Sequence, residues 1–130
     1  IEGLALIACG GVQVREQDDA LATYAPKIDR VAARLDWSRS AADIARHIRA
    51  MDPAPGAWTT YSNDTVKLFG ASPDDSAGEA GTVLDLEDRM LVAAGSGAVA
   101  ILDAQPAGRT RMTAAAWCRG AGPKIGERLE

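Results

Sequence analysis

The 130-residue sequence is poor in the residues that build metal sites, disulfide frameworks and aromatic stacking platforms. It has two cysteines, Cys9 and Cys118, near opposite ends of the chain, and a single histidine, His47. Without a CxxC pair or a second histidine, a structural metal site is not expected, and two free thiols are favoured over a disulfide. Three Trp, two Tyr and one Phe are present, so the core has to be built mainly from aliphatic side chains.

The sequence also lacks a long apolar run and an excess of basic residues. No hydrophobic stretch approaches the roughly 20 residues that a membrane-spanning helix needs, so we expect a cytoplasmic protein without a membrane partner. The net charge of −4 argues against a uniformly basic nucleic-acid-binding domain. The charges are segregated, however: residues 64–88 carry seven acidic side chains and one lysine, whereas residues 105–130 carry five basic and two acidic side chains. We expect the basic part to face phosphate and the acidic part to be turned away from it.

One amphipathic helix is the best-defined element. Its apolar positions recur at steps of three and four, which predicts a helix over Ser40–Met51. Ser40 and Asp43 resemble a capping box, and Pro53 disfavours helical geometry at the residue before it. The opposite face carries three arginines and Asp43, which we interpret as solvent-exposed rather than phosphate-binding. The apolar stripe consists of Trp37, Ala41, Ile44, Ala45, Ile48 and Met51.

Five short apolar runs, separated by turn residues, predict β-strands. The first two are joined by Ser62-Asn63-Asp64 and predict a hairpin; the last three are separated by three-residue gaps and predict a meander. The runs are Ala57–Tyr61, Thr65–Ala71, Thr82–Leu86, Met90–Ala94 and Ala98–Leu102.

The other segments are predicted from turn and cap residues. Ile1–Cys9 predicts a helix that ends at two glycines, and residues 15–25 are polar and unpatterned, which is typical of a linker. Residues 72–80 predict an acidic loop that accepts almost any sequence. Thr113 caps a predicted short helix that ends at Arg119, and the glycines and proline that follow indicate a tail without regular structure.

The exit of the meander is basic. Gln105-Pro106-Ala107-Gly108 predicts a turn, and Arg109 and Arg111 follow it two residues apart. In an extended backbone both arginine side chains would leave the same face, a spacing that suits two adjacent phosphates.

These elements predict an α+β fold, in which a small open β-barrel of five or six strands is crossed by one main helix. No catalytic residue is expected in this chain: His47 has no recognisable relay partner on its helical face, and Gly95-Ser96-Gly97 is a hairpin turn rather than a phosphate loop. The expected core residues are Trp37, Ile44, Ile48, Val83, Leu91, Val99 and Ile101.

Several short sequence segments resemble the C-terminal domain of methionyl-tRNA formyltransferase, and they occur in the same order over about residues 23–130. The similarity is found in the connection before the barrel, in the main helix and the Pro-rich residues after it, in the meander and the Gln-Pro-Ala-Gly-Arg sequence after it, and in the closing helix. The segments are Thr23–Ile28, Asp36–Trp58, Gly81–Met112, Ala116–Gly120 and Gly126–Leu129.

The resemblance implies an OB-like barrel that helps a two-domain enzyme hold its substrate. That family transfers a formyl group from 10-formyltetrahydrofolate to the methionyl amino group of initiator tRNA in translation initiation. Its N-terminal domain holds the folate and the catalytic residues, and no motif here matches them, so this fragment is expected to be inactive and to bind no cofactor. The resemblance further implies that residues 1–22 contain the end of the catalytic domain and the start of the linker, that 23–36 form the interdomain linker and that 37–130 form the tRNA-binding barrel.

On this resemblance the partners are initiator methionyl-tRNA and the N-terminal catalytic domain. Lys27, Arg109, Arg111 and Arg119 would then contact phosphates, positioning the tRNA without reading its sequence. Two alternatives stay open. The chain could be the C-terminal structural or substrate domain of another folate-dependent or sugar-nucleotide formyltransferase, or a stand-alone interaction domain in which Arg109 and Arg111 are merely solvated.

Overall fold

A computed structural model of the chain describes residues 2–13, 15–25 and 27–130. Two residues of predicted segments lie outside the described residues: Ile1, the first residue of the predicted N-terminal helix, and Pro26, in the Thr23–Ile28 segment. The helices are α1 (Glu2–Ala8), α2 (Ala41–Met51) and α3 (Ala114–Arg119), with a 3₁₀ turn at Asp19–Leu21. The strands are β1 (Ala57–Tyr61), β2 (Asp64–Asp74), β3 (Val83–Asp85), β4 (Met90–Ala93), β5 (Ala98–Pro106) and β6 (Met112–Thr113).

The strands form one antiparallel sheet in the order β1-β2-β5-β4-β3, with β6 paired to β5. The predicted hairpin and the predicted meander are both confirmed. The hairpin closes through Ser62 and Asn63, whose φ angles of 51° and 68° are those of a two-residue turn that matches the twist of the flanking strands. The pairing of β2 with β5 joins the hairpin to the meander.

The sheet curls because β2 and β5 change their inward face halfway along. In β2 the core residue Leu68 is followed by the core residue Ala71, three positions on, and in β5 Ile101 is followed by Ala104. Strict alternation would place the next inward residue two positions on. The change falls at Gly70, whose φ of +61° suits a residue without a Cβ atom. The sheet can therefore wrap around its core, as in an open barrel.

Helix α2 crosses the barrel, as predicted. Ser40 caps it by accepting a hydrogen bond from the Asp43 N–H at 3.2 Å, and Ile44 and Ile48 are fully buried. Arg49 donates from Nη1 to the carbonyl oxygen of Ala71 at 2.9 Å, which ties the helix to β2 beside its bend. All seven predicted core residues are buried; six join the main core, and Leu91 joins a smaller cluster with Ala98 and Ala100.

The C-terminal tail contains no helix or strand, as predicted, but its backbone is hydrogen-bonded to the sheet. The Val83 N–H donates to the carbonyl oxygen of Glu127, and Glu130 exchanges two backbone hydrogen bonds with Thr60, each at 2.9 Å. Leu129 is 1% exposed. The tail therefore lies between β3 and β1, the two outer strands of the sheet, and closes the barrel with irregular backbone.

The acidic segment contacts the basic tail of the chain. Glu79 forms an ion pair with Arg128 at 2.8 Å. The prediction that residues 72–80 form a loop is wrong at its start, because residues 72–74 belong to β2. A Cβ atom at Gly78 would lie 2.7 Å from the end of the Leu84 side chain.

The β4–β5 turn packs against the start of α2. Gly95 donates its N–H to the carbonyl oxygen of Arg39, and Ser96 accepts from the Ala41 N–H, both at 2.9 Å. A Cβ atom at Gly95 would overlap the carbonyl oxygen of Ser38. Glycine is therefore required here for a close approach of two backbones. None of the helices in the described segments combines the length and the apolar character needed to cross a bilayer.

Replacing Leu129 with Ala should lower the free energy of unfolding by about 3 kcal/mol, because it removes a buried side chain from the seam between β1 and β3. Chemical denaturation measures the change. Ile125, 63% exposed in the same tail, is the matched control, and I125A should alter the unfolding free energy by less than about 0.5 kcal/mol. Equal effects of the two changes would mean that the tail does not close the barrel.

Gly95→Ala should destabilise the fold by about 3 kcal/mol, because the added methyl group forces the β4–β5 turn away from the start of α2. Thermal unfolding measures the loss. Gly3 in α1 has no neighbouring atom within 4 Å of an added Cβ, so G3A should leave the melting temperature of the barrel unchanged. A tolerated G95A would show that this close approach does not constrain the fold.

Candidate nucleic-acid interface

A groove with basic side chains crosses the outer face of β1, β2 and β5. Its cavity volume is about 520 Å³. One wall is formed by Pro55 and Gly56, and the opposite wall is the turn at residues 105–108. The floor carries Trp58 and Lys67, and Arg30 lies at the edge. We call this feature the basic groove.

The floor is a cross-strand row of three side chains. Trp58 on β1 lies opposite Lys67 on β2, and Lys67 lies opposite Gln105 on β5. Residues directly opposite each other in an antiparallel pair project from the same face. The groove therefore presents an aromatic ring, a cation and an amide side by side.

Two arginines from the segment before α2 stack on the Trp58 ring. The guanidinium carbons of Arg30 and Arg34 lie 5.2 and 5.6 Å from the ring centroid. The Trp58 indole N–H donates to the carbonyl oxygen of Arg30 at 2.7 Å, and Arg30 donates to the Thr65 hydroxyl at 3.2 Å. These contacts draw the segment across β1 and fix the position of Trp58.

The segment also joins the sheet through its backbone. Trp58 donates its N–H to the Ala33 carbonyl oxygen at 2.9 Å, and Leu35 donates to the Trp58 carbonyl oxygen at 2.8 Å. Ala33 and Leu35 are buried. Across the described part of the chain, no carboxylate forms an ion pair with Arg30, Arg34 or Lys67. Their charge remains available to an anionic ligand.

Of the four residues predicted from the sequence, Arg109 lies nearest the basic groove. It is exposed in a bend that follows the groove wall, with its N–H bonded to the Pro106 carbonyl oxygen and its own carbonyl oxygen bonded to Gln105 Nε2. Lys27 is exposed in the segment that leads to Arg30, and Arg119 is exposed at the end of α3. The structure does not bring these three side chains together at one point.

Arg111 occupies a different environment. Its guanidinium contacts Asp103 at 2.9 Å and Asp52 at 3.1 Å, and it lies 4.2 Å from the centroid of the Phe69 ring. Partial burial acts to lower the pKa of Arg111, but the bonds to both carboxylates outweigh it and raise the pKa. Arg109 lies in a bend, so the extended backbone that would place the Arg109 and Arg111 side chains on the same face does not apply.

Sequence reasoning missed Arg30, Arg34, Trp58 and Lys67, although part of the signal was available. Once the hairpin turn is assigned to Ser62 and Asn63, a two-residue loop sets Trp58 opposite Lys67. The placement of the two arginines could not be found this way, because it depends on a connection that has no periodic pattern.

The rest of the described chain offers little chemistry. His47 has a buried Nε2 atom without a hydrogen-bond partner among the described residues. Within residues 2–13, 15–25 and 27–130, no group of three or more His, Cys, Asp or Glu side chains could hold a metal ion. Cys9 is exposed, whereas Cys118 is buried with its sulfur 3.8 Å from that of Met90.

The two cysteines should therefore react at very different rates. Burial raises the pKa of Cys118 to about 11, only partly opposed by the nearby charge of Lys124. At pH 8 only about one thiol in a thousand would be the reactive thiolate at Cys118. Iodoacetamide should label Cys9 first, and labelling of Cys118 should rise with pH towards 11. Denaturant, the control, should abolish the difference, whereas equal rates in the folded protein would contradict the burial of Cys118.

Comparison with known proteins gives a consistent result. Residues 27–122 match the family described as formyl transferase, C-terminal domain. Methionyl-tRNA formyltransferase of Acidiphilium cryptum is 44% identical over 113 residues, covering 87% of this chain and 37% of that protein. The enzyme of the same name from Bradyrhizobium diazoefficiens is 36% identical over 133 residues, covering 99% of this chain and 42% of that protein. The chain thus spans about two fifths of the length of these curated relatives.

Solved structures share the fold. A variant of HypX from Aquifex aeolicus superposes with a TM-score of 0.72 at 25% identity, covering 91% of this chain and 22% of HypX. A second HypX structure, in complex with tetrahydrofolic acid, has a TM-score of 0.70 at 24% identity and covers 90% of this chain and 21% of HypX. The curled antiparallel sheet with few helices is therefore the architecture of this family's C-terminal domains.

Proposed function

Because the chain belongs to the formyl transferase C-terminal domain family, we propose that it is the tRNA-holding part of a methionyl-tRNA formyltransferase. The longer enzyme transfers a formyl group from 10-formyltetrahydrofolate to the methionyl amino group of initiator tRNA, in the cytoplasm, at translation initiation. A preceding catalytic domain binds the folate, and this chain binds neither folate nor metal. In this proposal residues 1–22 contain the end of that catalytic domain and the start of the linker, 23–36 form the interdomain linker and 37–130 form the barrel.

The basic groove carries this proposal. A chain with a net charge of −4 gathers Arg30, Arg34, Lys67 and Arg109 along one surface, beside Trp58. Cations on well-separated backbone segments can neutralise successive phosphates of a nucleic acid without reading its bases. Both arginines lie against the Trp58 ring, so we infer that the indole orients these cations rather than stacking on a nucleotide.

The groove is suited to holding a substrate rather than to reacting with it. Its lining includes no carboxylate, histidine or cysteine that could serve as a general base or nucleophile. We therefore retain the proposal that formyl transfer takes place in the catalytic domain. Lys27, Arg109 and Arg119 stay proposed phosphate contacts, and Arg30, Arg34 and Lys67 join them.

The proposed linker extends into the folded domain. Ala33 and Leu35 are buried and pair with β1, so the last residues of the linker pack as part of the barrel. HypX, a protein of the same fold, keeps open the second candidate, a C-terminal domain of another folate-dependent enzyme. The higher identity to the formyltransferases, 36–44% against 25%, favours the first.

Lys67→Ala and Arg109→Ala should each weaken binding of initiator tRNA, because each removes one phosphate contact. The plot of log binding constant against log salt concentration should become less steep by about one unit. The measurement is a tRNA titration at several salt concentrations. The loss should be similar for tRNAs of different sequence. In the full-length enzyme KM should rise while kcat is largely kept, because the contact is equal in the ground and transition states.

Arg46→Ala is the matched control for charge. Arg46 is exposed on α2 and paired with Asp43, away from the basic groove, so its removal should leave the salt slope unchanged. If K67A and R109A behave like R46A, the groove is not a phosphate-binding surface. If the wild-type chain shows no salt-dependent binding of tRNA, the tRNA-holding role of this domain fails.

A further inference from the structure

We propose that Arg111 is a positioning residue that holds the two walls of the basic groove at a fixed separation and does not itself contact the tRNA. The inference rests on the proposed function for the identity of the ligand. It assigns to Arg111 a role opposite to the one its sequence suggests, since a basic residue after a turn would be expected to bind phosphate directly.

The Arg111 guanidinium is already bound by two carboxylates and lies against an aromatic ring. Asp103 accepts at 2.9 Å and Asp52 at 3.1 Å, so two negative charges surround one positive charge. The planar group also lies on the Phe69 ring, 4.2 Å from its centroid. A phosphate approaching this site would meet a net negative environment and would have to displace a carboxylate.

The two carboxylates that Arg111 joins lie close to the two walls of the groove. Asp52 caps the end of α2 and lies three residues before Pro55, which forms one wall of the groove together with Gly56. Asp103 lies on β5, two residues before the opposite wall at 105–108, and it pairs in register with Phe69. Arg111 thus connects the base of one wall to the base of the other.

Phe69 links Arg111 to the wall formed by Pro55 and Gly56. A Cβ atom at Gly56 would lie 3.3 Å from the Phe69 ring and 2.8 Å from the Lys67 side chain, so Gly56 packs closely against both residues. Phe69 is 2% exposed, and Arg111 stacks on it. Loss of the Arg111 contacts would therefore release the Pro55–Gly56 wall and the aliphatic part of the Lys67 side chain that packs against it.

The turn that carries Arg109 depends on the same residue. Its start is fixed by the Ala107 N–H, which donates to the Thr65 carbonyl oxygen at 3.0 Å, and by the Arg109 N–H, which donates to the Pro106 carbonyl oxygen at 3.0 Å. Its end is fixed by Arg111 through Asp103 and Asp52. Arg111 therefore orients Arg109 at the groove edge but does not itself contact the tRNA.

The two possible roles of Arg111, phosphate contact and positioning residue, predict opposite changes in tRNA affinity for Asp52→Asn. If Arg111 were a phosphate contact, removing a competing carboxylate would release it and tighten tRNA binding. If Arg111 positions the walls, the same change removes one anchor and weakens binding, although the protein becomes less negative. Arg111→Lys keeps the charge but loses the planar fork and the ring stacking, so it should weaken binding without changing the number of phosphates neutralised.

The experiment measures the Kd of the 130-residue chain for initiator tRNA across a range of salt. D52N and R111K should each raise Kd by about fivefold, with the salt slope kept at the wild-type value. Their effects should be less than additive in the double variant, because they break the same contact. Asp75 is exposed in the acidic segment, and D75N, the control for the lost negative charge, should not weaken binding.

A second readout needs no tRNA and separates failure of this inference from failure of the proposed function. Hydrogen exchange of the Gly56, Ala107 and Arg109 amides should accelerate in R111K, while exchange of the Ile48 amide in α2 should not change. Tighter binding by D52N, a salt slope lowered in R111K as in R109A, or unchanged exchange at the groove walls would each overturn the positioning role.

Discussion

The pairing of β2 with β5 is the contact on which the rest of the structure depends. It joins two locally formed units, the β1–β2 hairpin and the β3–β4–β5 meander, into one sheet. Both strands change their inward face near Gly70, so the pairing also sets the curl that encloses the core. Arg49 ties α2 to β2 at that bend, and Lys67 and Gln105, paired across the same two strands, form the floor of the basic groove. Core and candidate interface thus rest on one set of backbone hydrogen bonds.

The charge distribution explains how a domain with a net negative charge can still present a locally basic surface. Several arginines are committed to carboxylates within the domain: Arg46, Arg89, Arg111 and Arg128. The groove cations have no such partners among the described residues, so the local potential there is set by them rather than by the net charge. Net charge limits the classes of partner, but the pairing of each side chain decides where an anion can bind.

Local patterns in the sequence could predict most of the elements, whereas contacts between distant segments could not be predicted. The 3.6-residue stripe predicts α2, and turn residues delimit the strands, because both signals lie within a few residues of the structure they determine. The Asp52–Arg111 contact spans 59 positions, and nothing in the local sequence distinguishes Arg111 from Arg109. The tail shows the same limit: its glycines indicate irregular backbone, but only the outer edges of β1 and β3 explain why that backbone is ordered.

The outer edge of β1 shows how the candidate interface is linked to the ends of the folded domain. The first half of that edge pairs with residues 33–35, and the second half pairs with Glu130. A sheet edge covered along its length leaves no free backbone groups for another chain. The segment that covers the first half also brings Arg30 and Arg34 to Trp58. A domain boundary drawn at residue 37 would therefore cut through the basic groove, removing two of its cations and uncovering the edge that supports its aromatic floor. The residues before the barrel are thus part of the candidate interface as well as a connection to it.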